Sequence, residues 1–365
     1  MASLLGVMSA SSVPPRVVVV GGGIIGCSTA FYLSKRGCAP TIVERREIAA
    51  AASGKAGGFL AADWNDGSAV GALARESFAL HAELARELGA DAIDYRRLTC
   101  AAVAVAERGA APATRKLAAT EWANSAVLGS RPMGDETTIA QVHPRKLARA
   151  MADAAIAQGG RVLIATVTEV QPGSPARVLL DSGEWLEADA VVLAMGPWTD
   201  QLAGGLKLPR MLGQKYHSIL MQADRTLSQA VFFQGRGDPE VYPRPRGEVY
   251  VTGFPDSPVR VTERPGEVEV RPGATDKLEA VARELSADLR DAPRTGAQSC
   301  YLPLTPDGAP AIGRLSSAPG VYVGTGHSCW GILNGPATGK ALAELILDGR
   351  GSAAVGAELS PDRFA

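Results

Sequence analysis

Residues 17–36 read Val17-Val-Val-Val-Gly-Gly-Gly-Ile-Ile-Gly-Cys-Ser-Thr-Ala-Phe-Tyr-Leu-Ser-Lys-Arg36, and they decide the fold class. The four consecutive valines predict a short strand that is buried on both faces of a sheet. Gly21, Gly23 and Gly26 follow at the spacing G-x-G-x-x-G, and apolar residues then continue with helical periodicity. Glycines at this spacing give a tight turn, let the backbone approach a pyrophosphate and allow close helix–strand packing. The helix N-terminus offers free N–H groups to the phosphates.

A second short strand supports a dinucleotide site. Thr41-Ile-Val-Glu44 ends in an acid 18 residues after Gly26, where a carboxylate that binds the ribose is expected. The alternative is an ordinary surface acid at a strand end. Because strand, glycines, helix and acid occur together, the sequence predicts dinucleotide binding.

Composition excludes several classes of function. The 365 residues include 37 Lys and Arg and 38 Asp and Glu, and the net charge of −1 predicts no nucleic-acid partner. No apolar run is long enough to span a membrane. The five cysteines include no C-x-x-C pair, and the four histidines are dispersed, so we predict no metal site.

The cysteine pattern also indicates a reducing compartment, and we expect a cytoplasmic protein. Residues 1–15 are predicted to be a flexible N-terminal extension. If they are instead a transit segment, the location would be a plastid or mitochondrion.

The order of predicted strands and helices indicates an α/β fold with two kinds of sheet. We assign residues 16–91, 139–209 and 296–350 to a discontinuous Rossmann-like domain with a parallel sheet. Residues 92–138 and 210–295 are predicted to form an inserted, mixed and mainly antiparallel β domain that binds substrate, and 351–365 a C-terminal tail. Helices are expected over 276–290 and 336–348, and a strand over 161–170.

Further motifs, taken with the glycine loop, resemble a known family. They are Ser53-Gly-Lys-Ala-Gly-Gly58, His143-Pro144, Ala194-Met-Gly-Pro-Trp198, Thr305-Pro-Asp-Gly-Ala-Pro-Ala-Ile-Gly313 and Gly326-His-Ser-Cys-Trp-Gly-Ile-Leu-Asn-Gly-Pro-Ala-Thr-Gly339. In this order they look like the FAD-dependent oxidoreductases typified by D-amino-acid oxidase, glycine oxidase and sarcosine oxidase. Within that family they resemble most closely a eukaryotic branch of oxidoreductases whose substrate is undefined, and one fungal member of that branch is linked to endosome-to-Golgi retrieval.

The resemblance implies a glutathione-reductase-type FAD-binding domain and assigns cofactor contacts along the chain. Pyrophosphate, ribose, adenine and flavin would be bound by Gly21, Gly23, Ile24, Ile25, Gly26, Glu44, Arg45, Ala52, Ser53, Gly57, Gly58, Phe59, Val167, Gly196, Gly326, His327, Trp330, Gly331, Ile332 and Leu333. An equally well supported alternative for His327 is a structural role, in which its ring forms hydrogen bonds within a turn.

The resemblance also implies a reaction. Hydride transfer from the carbon that bears the amine to flavin N5 would give an imine that hydrolyses, and O2 would reoxidise the flavin to yield H2O2. Cys300 occupies the position where sarcosine-oxidase-like members attach the flavin covalently. The alternative for Cys300 is a small buried thiol in a strand.

The substrate site departs from the family pattern. Leu302, Cys329 and Leu333 stand where relatives carry the cations that hold a substrate carboxylate. Substitute cations could come from the inserted segment 210–295. The candidates there are Arg210, Lys215, Arg244 and Arg246, with His217, Tyr242 and Tyr250 nearby. Alternatively, Arg244 and Arg246 are solvated loop charges.

Two functions therefore remain open on the sequence. The first is oxidation of a C–N bond in a small amine or N-substituted amino acid, with O2 as the expected acceptor. The second is a flavin-binding regulatory protein, for example in endosomal trafficking, with weak or no catalysis.

Overall fold

A computed structural model describes residues 13–106, 120–123, 127–202 and 205–365. Most of the predicted N-terminal extension, residues 1–12, lies outside the described residues. Residues 107–119 and 124–126, which belong to the predicted insertion 92–138, also lie outside the described residues.

The described residues form seven α-helices. They are α1 Ile24–Ser34, α2 Ala52–Lys55, α3 Gly71–Leu88, α4 Pro144–Ala157, α5 Pro272–Leu285, α6 Ala287–Arg290 and α7 Gly331–Asp348.

The strands are β1 Val17–Val20, β2 Thr41–Glu44, β3 Phe59–Ala61, β4 Arg96–Arg97, β5 Thr99–Val105, β6 Val127–Gly134, β7 Ile139–Gln141, β8 Arg161–Ile164, β9 Val167–Gln171, β10 Ala176–Leu180, β11 Trp185–Ala188, β12 Ala190–Leu193, β13 Leu212–Gln222, β14 Gln229–Gln234, β15 Glu240–Pro243, β16 Glu248–Gly253, β17 Arg294–Leu304, β18 Ala311–Arg314 and β19 Val321–Thr325.

The first sheet has the strand order β18-β19-β12-β1-β2-β8. All neighbours are parallel except β18, which pairs antiparallel with β19. Val17 and Val19 of β1 point into a helical layer that contains α1, α4 and α7. Val18 and Val20 point to the opposite face, into the core shared with the small sheet β9-β10-β11. Since successive strand residues alternate in direction, a strand buried on both faces must be apolar throughout.

The second large sheet has the order β17-β13-β16-β15-β14-β5-β6 and is antiparallel except for the β14–β5 pair. Helices α5 and α6 pack against it through a core that includes Leu278, Leu285 and Leu289. The predicted fold class, a Rossmann-like parallel sheet combined with a mainly antiparallel one, is confirmed. Residues 296–304 were assigned to the nucleotide-binding part, but they belong to β17 and so extend the antiparallel sheet. The division into domains stays a prediction.

Three element boundaries differ from the sequence prediction. The helix expected over 276–290 begins at Pro272 and is interrupted at Ser286, whose hydroxyl accepts from the backbone N–H of Asp288 and caps α6. The strand expected over 161–170 divides into β8 and β9, which lie in different sheets. The last helix begins at Gly331 rather than 336, and Pro336 lies inside it.

Candidate active site

A cavity of about 710 Å³ lies between the two large sheets. Its nucleotide end is formed by the turns after β1, β2 and β12, with Val167 and Thr168 of β9. Its aromatic end is formed by one face of the antiparallel sheet and by the start of α7. Ligands of parallel α/β sheets bind at the carboxyl ends of the strands, which is where the nucleotide end lies.

The glycine loop fits closely at the nucleotide end. A Cβ on Gly21 would lie 2.5 Å from the carbonyl oxygen of Ala194, and Gly21 has a φ of +108°. A Cβ on Gly26 would lie 1.9 Å from the carbonyl oxygen of Gly21. Gly21 and Gly23 line the cavity, whereas Gly26 does not. Gly26 therefore acts by letting α1 pack against the turn, and it is not itself exposed to the cavity.

Glu44 is fixed by backbone N–H groups. Its Oε2 accepts from the N–H of Gly22 at 2.7 Å, and its Oε1 accepts from the N–H of Arg46 at 3.0 Å. Glu44 and Arg45 both line the cavity. Because a carboxylate oxygen can accept more than one hydrogen bond, Glu44 keeps capacity for a ligand hydroxyl.

The loop after β2 crosses the middle of the cavity. The hydroxyl of Ser53 accepts from the backbone N–H of Ile24 at 2.9 Å, which ties this loop to the first turn of α1. A Cβ on Gly57 would lie 2.2 Å from the ring of Tyr242, and one on Gly58 would lie 2.0 Å from the carbonyl oxygen of Val142. The consecutive glycines thus let backbone lie directly against the aromatic end.

The first turn of α7 is held by α3, which the sequence analysis did not predict. Pro336 has no N–H, so the carbonyl of Ile332 lacks its helical donor. His81 Nε2 lies 3.0 Å from that oxygen and 3.2 Å from the carbonyl oxygen of Leu333, and both can only accept. The N–H of Ala337 donates to the hydroxyl of Ser77 instead. A proline inside a predicted helix was the available signal for such an outside partner.

His327 lines the cavity but is also held within the protein. Its Nε2 lies 2.9 Å from the hydroxyl of Thr338, and burial lowers the pKa of His327 to about 3. The imidazole is therefore neutral at physiological pH, and the structural alternative raised from the sequence describes its hydrogen bonding.

The structure brings most of the predicted cofactor residues to this one cavity. The exceptions are Gly26 and Leu333. The lining includes Gly21, Gly23, Ile24, Ile25, Glu44, Arg45, Ala52, Ser53, Gly57, Gly58, Phe59, Val167, Gly196, Gly326, His327, Trp330, Gly331 and Ile332.

Cys300 of β17 also lines the cavity and is buried. Burial raises the pKa of its thiol to about 11, and the nearby Lys55 opposes part of that rise. The Lys55 ammonium donates to the carbonyl oxygen of Ser299 at 2.9 Å. The thiol form is therefore favoured before any reaction of Cys300.

The four basic residues predicted on the substrate side from the segment 210–295 are not among the residues that line the cavity. Lys215 is buried, and its Nζ is 3.3 Å from Glu263. Arg246 is exposed and pairs with Asp94. The expectation of a cavity cation at Lys215, Arg210, Arg244 or Arg246 is not met, because none of the four is among the residues that line the cavity; Lys215 lies on β13, and the other three lie outside the strands. Tyr250 does line the cavity.

Arg244 is not the solvated loop charge that was offered as its alternative. Only 3% of it is exposed, and its guanidinium pairs with Glu248 at 2.7 Å. Its Nη2 donates to the carbonyl oxygens of Ala56 at 2.9 Å and Gly57 at 3.3 Å. Arg244 thus holds the loop that crosses the cavity.

The aromatic end contains a carboxylate that sequence reasoning missed. Tyr242 donates from its hydroxyl to Glu240 Oε2, and both side chains line the cavity. Phe232 and Thr252 are the cross-strand neighbours of Glu240. Burial raises the pKa of Glu240. The signal was the spacing of two in Glu240-Val-Tyr242, which places both side chains on one face of a strand.

The family of this chain follows from comparison with known proteins. The family model described as "DAO: FAD dependent oxidoreductase" matches residues 16–345. The protein belongs to this family of FAD-dependent oxidoreductases, and its cofactor is FAD.

Individual relatives agree with this membership. The Schizosaccharomyces pombe protein named "Putative oxidoreductase C1F5.03c" is 33% identical over 370 residues, which cover 92% of this chain and 94% of that protein. Glycine oxidase of Geobacillus kaustophilus is 29% identical over 367 residues, 90% of this chain and 92% of that enzyme. The crystal structure of glycine oxidase from the same organism gives a TM-score of 0.81 at 25% identity, with 96% and 98% of the two chains covered.

The geometry of the cavity fits FAD. The glycine loop has no room for Cβ atoms, so its backbone can lie against a pyrophosphate, and the carboxylate of Glu44 lies beside that loop. Within the described ranges, no cluster of three or more His, Cys, Asp or Glu side chains could hold a metal ion. No helix among the described residues is long and apolar enough to cross a membrane.

Proposed function

We propose that this protein oxidises a C–N bond of a small amine or N-substituted amino acid, with O2 as electron acceptor and H2O2 as product. The observation that carries the proposal is one continuous cavity that joins a dinucleotide cradle to an aromatic end. FAD, when bound, supplies the hydride acceptor. The names of relatives such as glycine oxidase support an amine or amino-acid substrate.

The residues of this chain would contribute orientation and electrostatics. The first turn of α7 presents backbone N–H groups at the cavity through Gly331 and Ile332, and a helix N-terminus stabilises negative charge. His81 holds that turn in place through two carbonyl oxygens. Rings of the aromatic end would exclude water from the reacting carbon.

A neutral histidine in the cavity lining is compatible with oxidation of an amine by hydride transfer. His327 is the histidine in the cavity lining, and its low pKa keeps it from carrying a positive charge at neutral pH. Hydride leaves the carbon of a neutral amine, so a substrate that binds as an ammonium first loses a proton; His327 is assigned no part in that step and would serve to position the loop between β19 and α7.

The experiment is anaerobic reduction of the purified holoenzyme by separate panels of simple amines, N-methyl amino acids, D-amino acids and glycated amino acids. Loss of the oxidised flavin absorbance with one panel, followed by H2O2 release when air is admitted, is the expected result. If no panel reduces the flavin, amine oxidation is refuted and the regulatory flavoprotein becomes the better reading.

Covalent attachment through Cys300 is a separate part of the proposal. Its location in the cavity lining supports it. Acid precipitation should carry the flavin into the pellet if the attachment exists, and Cys300→Ala should release it to the supernatant. Yellow supernatant from the unmodified protein would rule the attachment out.

A further inference from the structure

We infer that the substrate is an amine without a carboxylate, and that Glu240 binds its ammonium group at the aromatic end of the cavity. This inference rests on the proposed amine oxidation and narrows its substrate class. It depends on the position of Glu240, on the rings around it and on where the cations of the cavity lie.

Glu240 is a partly buried acid whose neighbours leave it ready to accept a hydrogen bond. Tyr242 is its hydrogen-bond donor among the described residues, and that bond engages Oε2. The charged form of Glu240 faces thiols and phenols, whose pKa is raised first by their burial and further by that carboxylate, namely Cys100, Tyr216, Tyr242, Tyr250 and Cys329. A buried carboxylate without a cationic partner is costly, and a bound ammonium would offset that cost.

The surrounding rings suit a cation. Tyr242 stacks between Phe59 and Tyr250, with ring centroids 5.4 and 5.8 Å away and interplanar angles of 15° and 11°. Phe232 meets Tyr242 edge-on at 5.6 Å. All four rings line the cavity. These stacked rings form an apolar wall beside a carboxylate, which suits an alkylated ammonium and offers no cationic partner to a substrate carboxylate.

A carboxylate substrate lacks a matching partner here. Leu302 and Cys329 line the cavity where relatives were expected to carry arginines. The ammonium or guanidinium groups in the lining belong to Arg45, beside Glu44 at the nucleotide end, and to Lys55, which donates to Ser299. A carboxylate at the aromatic end would face the like charge of Glu240, which disfavours binding.

Ligand binding to the holoenzyme tests the inference without turnover. Tetramethylammonium, whose nitrogen has no lone pair to form a C=N bond as hydride leaves, is titrated against the protein while flavin absorbance and binding heat are recorded. Acetate is titrated in parallel. We expect binding of the cation, no saturable binding of acetate, and loss of cation affinity by about tenfold or more in Glu240→Gln.

Two variants make the result specific. Glu184→Gln removes an exposed acid in the turn between β10 and β11 and should leave the cation affinity unchanged. Lys55→Met removes the cavity ammonium beside Cys300. Saturable acetate binding that disappears in Lys55→Met would overturn the inference, because it would show a carboxylate site. Unchanged cation affinity in correctly folded Glu240→Gln would overturn it as well.

Failure of this inference can be told apart from failure of amine oxidation. If the flavin is reduced by amines but tetramethylammonium does not bind, only the assignment of Glu240 is lost. If tetramethylammonium binds through Glu240 but no amine reduces the flavin, the proposed oxidation and the amine substrate are lost, and only cation binding by Glu240 stands. Should Glu240→Gln fail to retain FAD, competition between cation and acetate in the unmodified holoenzyme decides the matter.

Discussion

The two ends of the cavity are built in opposite ways. At the nucleotide end, backbone and small residues make most of the site, chiefly from residues 17–58, with further contributions from β9 and the turn after β12. At the aromatic end, large side chains from β3, β14, β15 and β16 converge on one carboxylate. A site made by backbone tolerates little added volume, whereas a site made by side chains can change its ligand by single substitutions. Cofactor choice is therefore fixed in this chain more firmly than substrate choice.

The largest effect is expected from adding one methyl group to the nucleotide end. Gly26→Ala places a Cβ 1.9 Å from a backbone carbonyl oxygen, so either α1 or the turn must move. We expect loss of FAD from the purified protein and destabilisation by more than about 3 kcal/mol. Flavin-to-protein ratio and denaturant unfolding measure both.

Gly273→Ala is the matched control for Gly26→Ala, since nothing lies within 4 Å of its added Cβ in α5. It should keep full FAD content and change stability by at most about 1 kcal/mol, in the stabilising direction. Equal losses in both variants would mean that glycine number, not the loop geometry, is what matters.

Removing the link between α3 and α7 is expected to have the next largest effect. His81→Ala leaves the carbonyl oxygens of Ile332 and Leu333 without their donor in a buried place. The expected cost is about 3 kcal/mol in the free energy of unfolding. Chemical denaturation of the apoprotein measures it, and a loss below about 1 kcal/mol would show that α7 does not need this support.

Acid should destabilise the protein through the same residue. Burial lowers the pKa of His81 to about 4, so the fold favours the neutral ring. That stabilisation is complete above the unfolded pKa of 6.5 and is lost as pH falls from there toward 4. His81→Gln keeps a donor without titrating, so its stability should fall less steeply, by up to about 1.4 kcal/mol per pH unit. Parallel slopes would contradict a neutral buried His81.

A smaller effect is expected at the ribose position. Glu44→Ala removes the acceptor for the N–H of Gly22, and with it the carboxylate offered to the ribose. FAD affinity should weaken about tenfold. Glu47→Ala serves as comparison because Glu47 pairs with Arg145 and Arg149 at the surface. The prediction is wrong if FAD titration gives the same affinity for both variants.

The smallest effect is expected for Arg246, in contrast to Arg244, which lies two residues earlier in the chain. Arg246→Ala should leave FAD content and amine turnover unchanged and alter stability by no more than about 1 kcal/mol, because Arg246 is exposed and Lys146 also pairs with Asp94. Arg244→Ala should cost more, since its guanidinium holds the carbonyl oxygens of Ala56 and Gly57. Reversal of this order would contradict the contacts at the loop that crosses the cavity.

The sequence was most informative where geometry is local. The glycine loop, the acid of β2 and the order of sheet types could be predicted because each depends on residues close together in the chain. The start of α7 could not, since a proline at 336 marks a helix end unless another helix supplies the missing donors, and His81 lies 251 positions from Ile332. The candidate cations Lys215 and Arg244 were expected only from their place in the segment 210–295, and the structure pairs them with Glu263 and Glu248 outside the cavity lining.

By itself the sequence determined dinucleotide binding, because a dinucleotide loop is a backbone motif formed by consecutive residues, and the further motifs between residues 53 and 339 gave the resemblance to the family. Only the tertiary structure decided what faces the cofactor. Glu240 and Tyr242 lie on β15, Phe232 lies on the neighbouring β14, and Phe59 comes from β3 of a separate three-stranded sheet, so these side chains meet only through the packing of distant segments. Side-chain convergence of that kind depends on register and strand direction, which no short stretch of sequence contains.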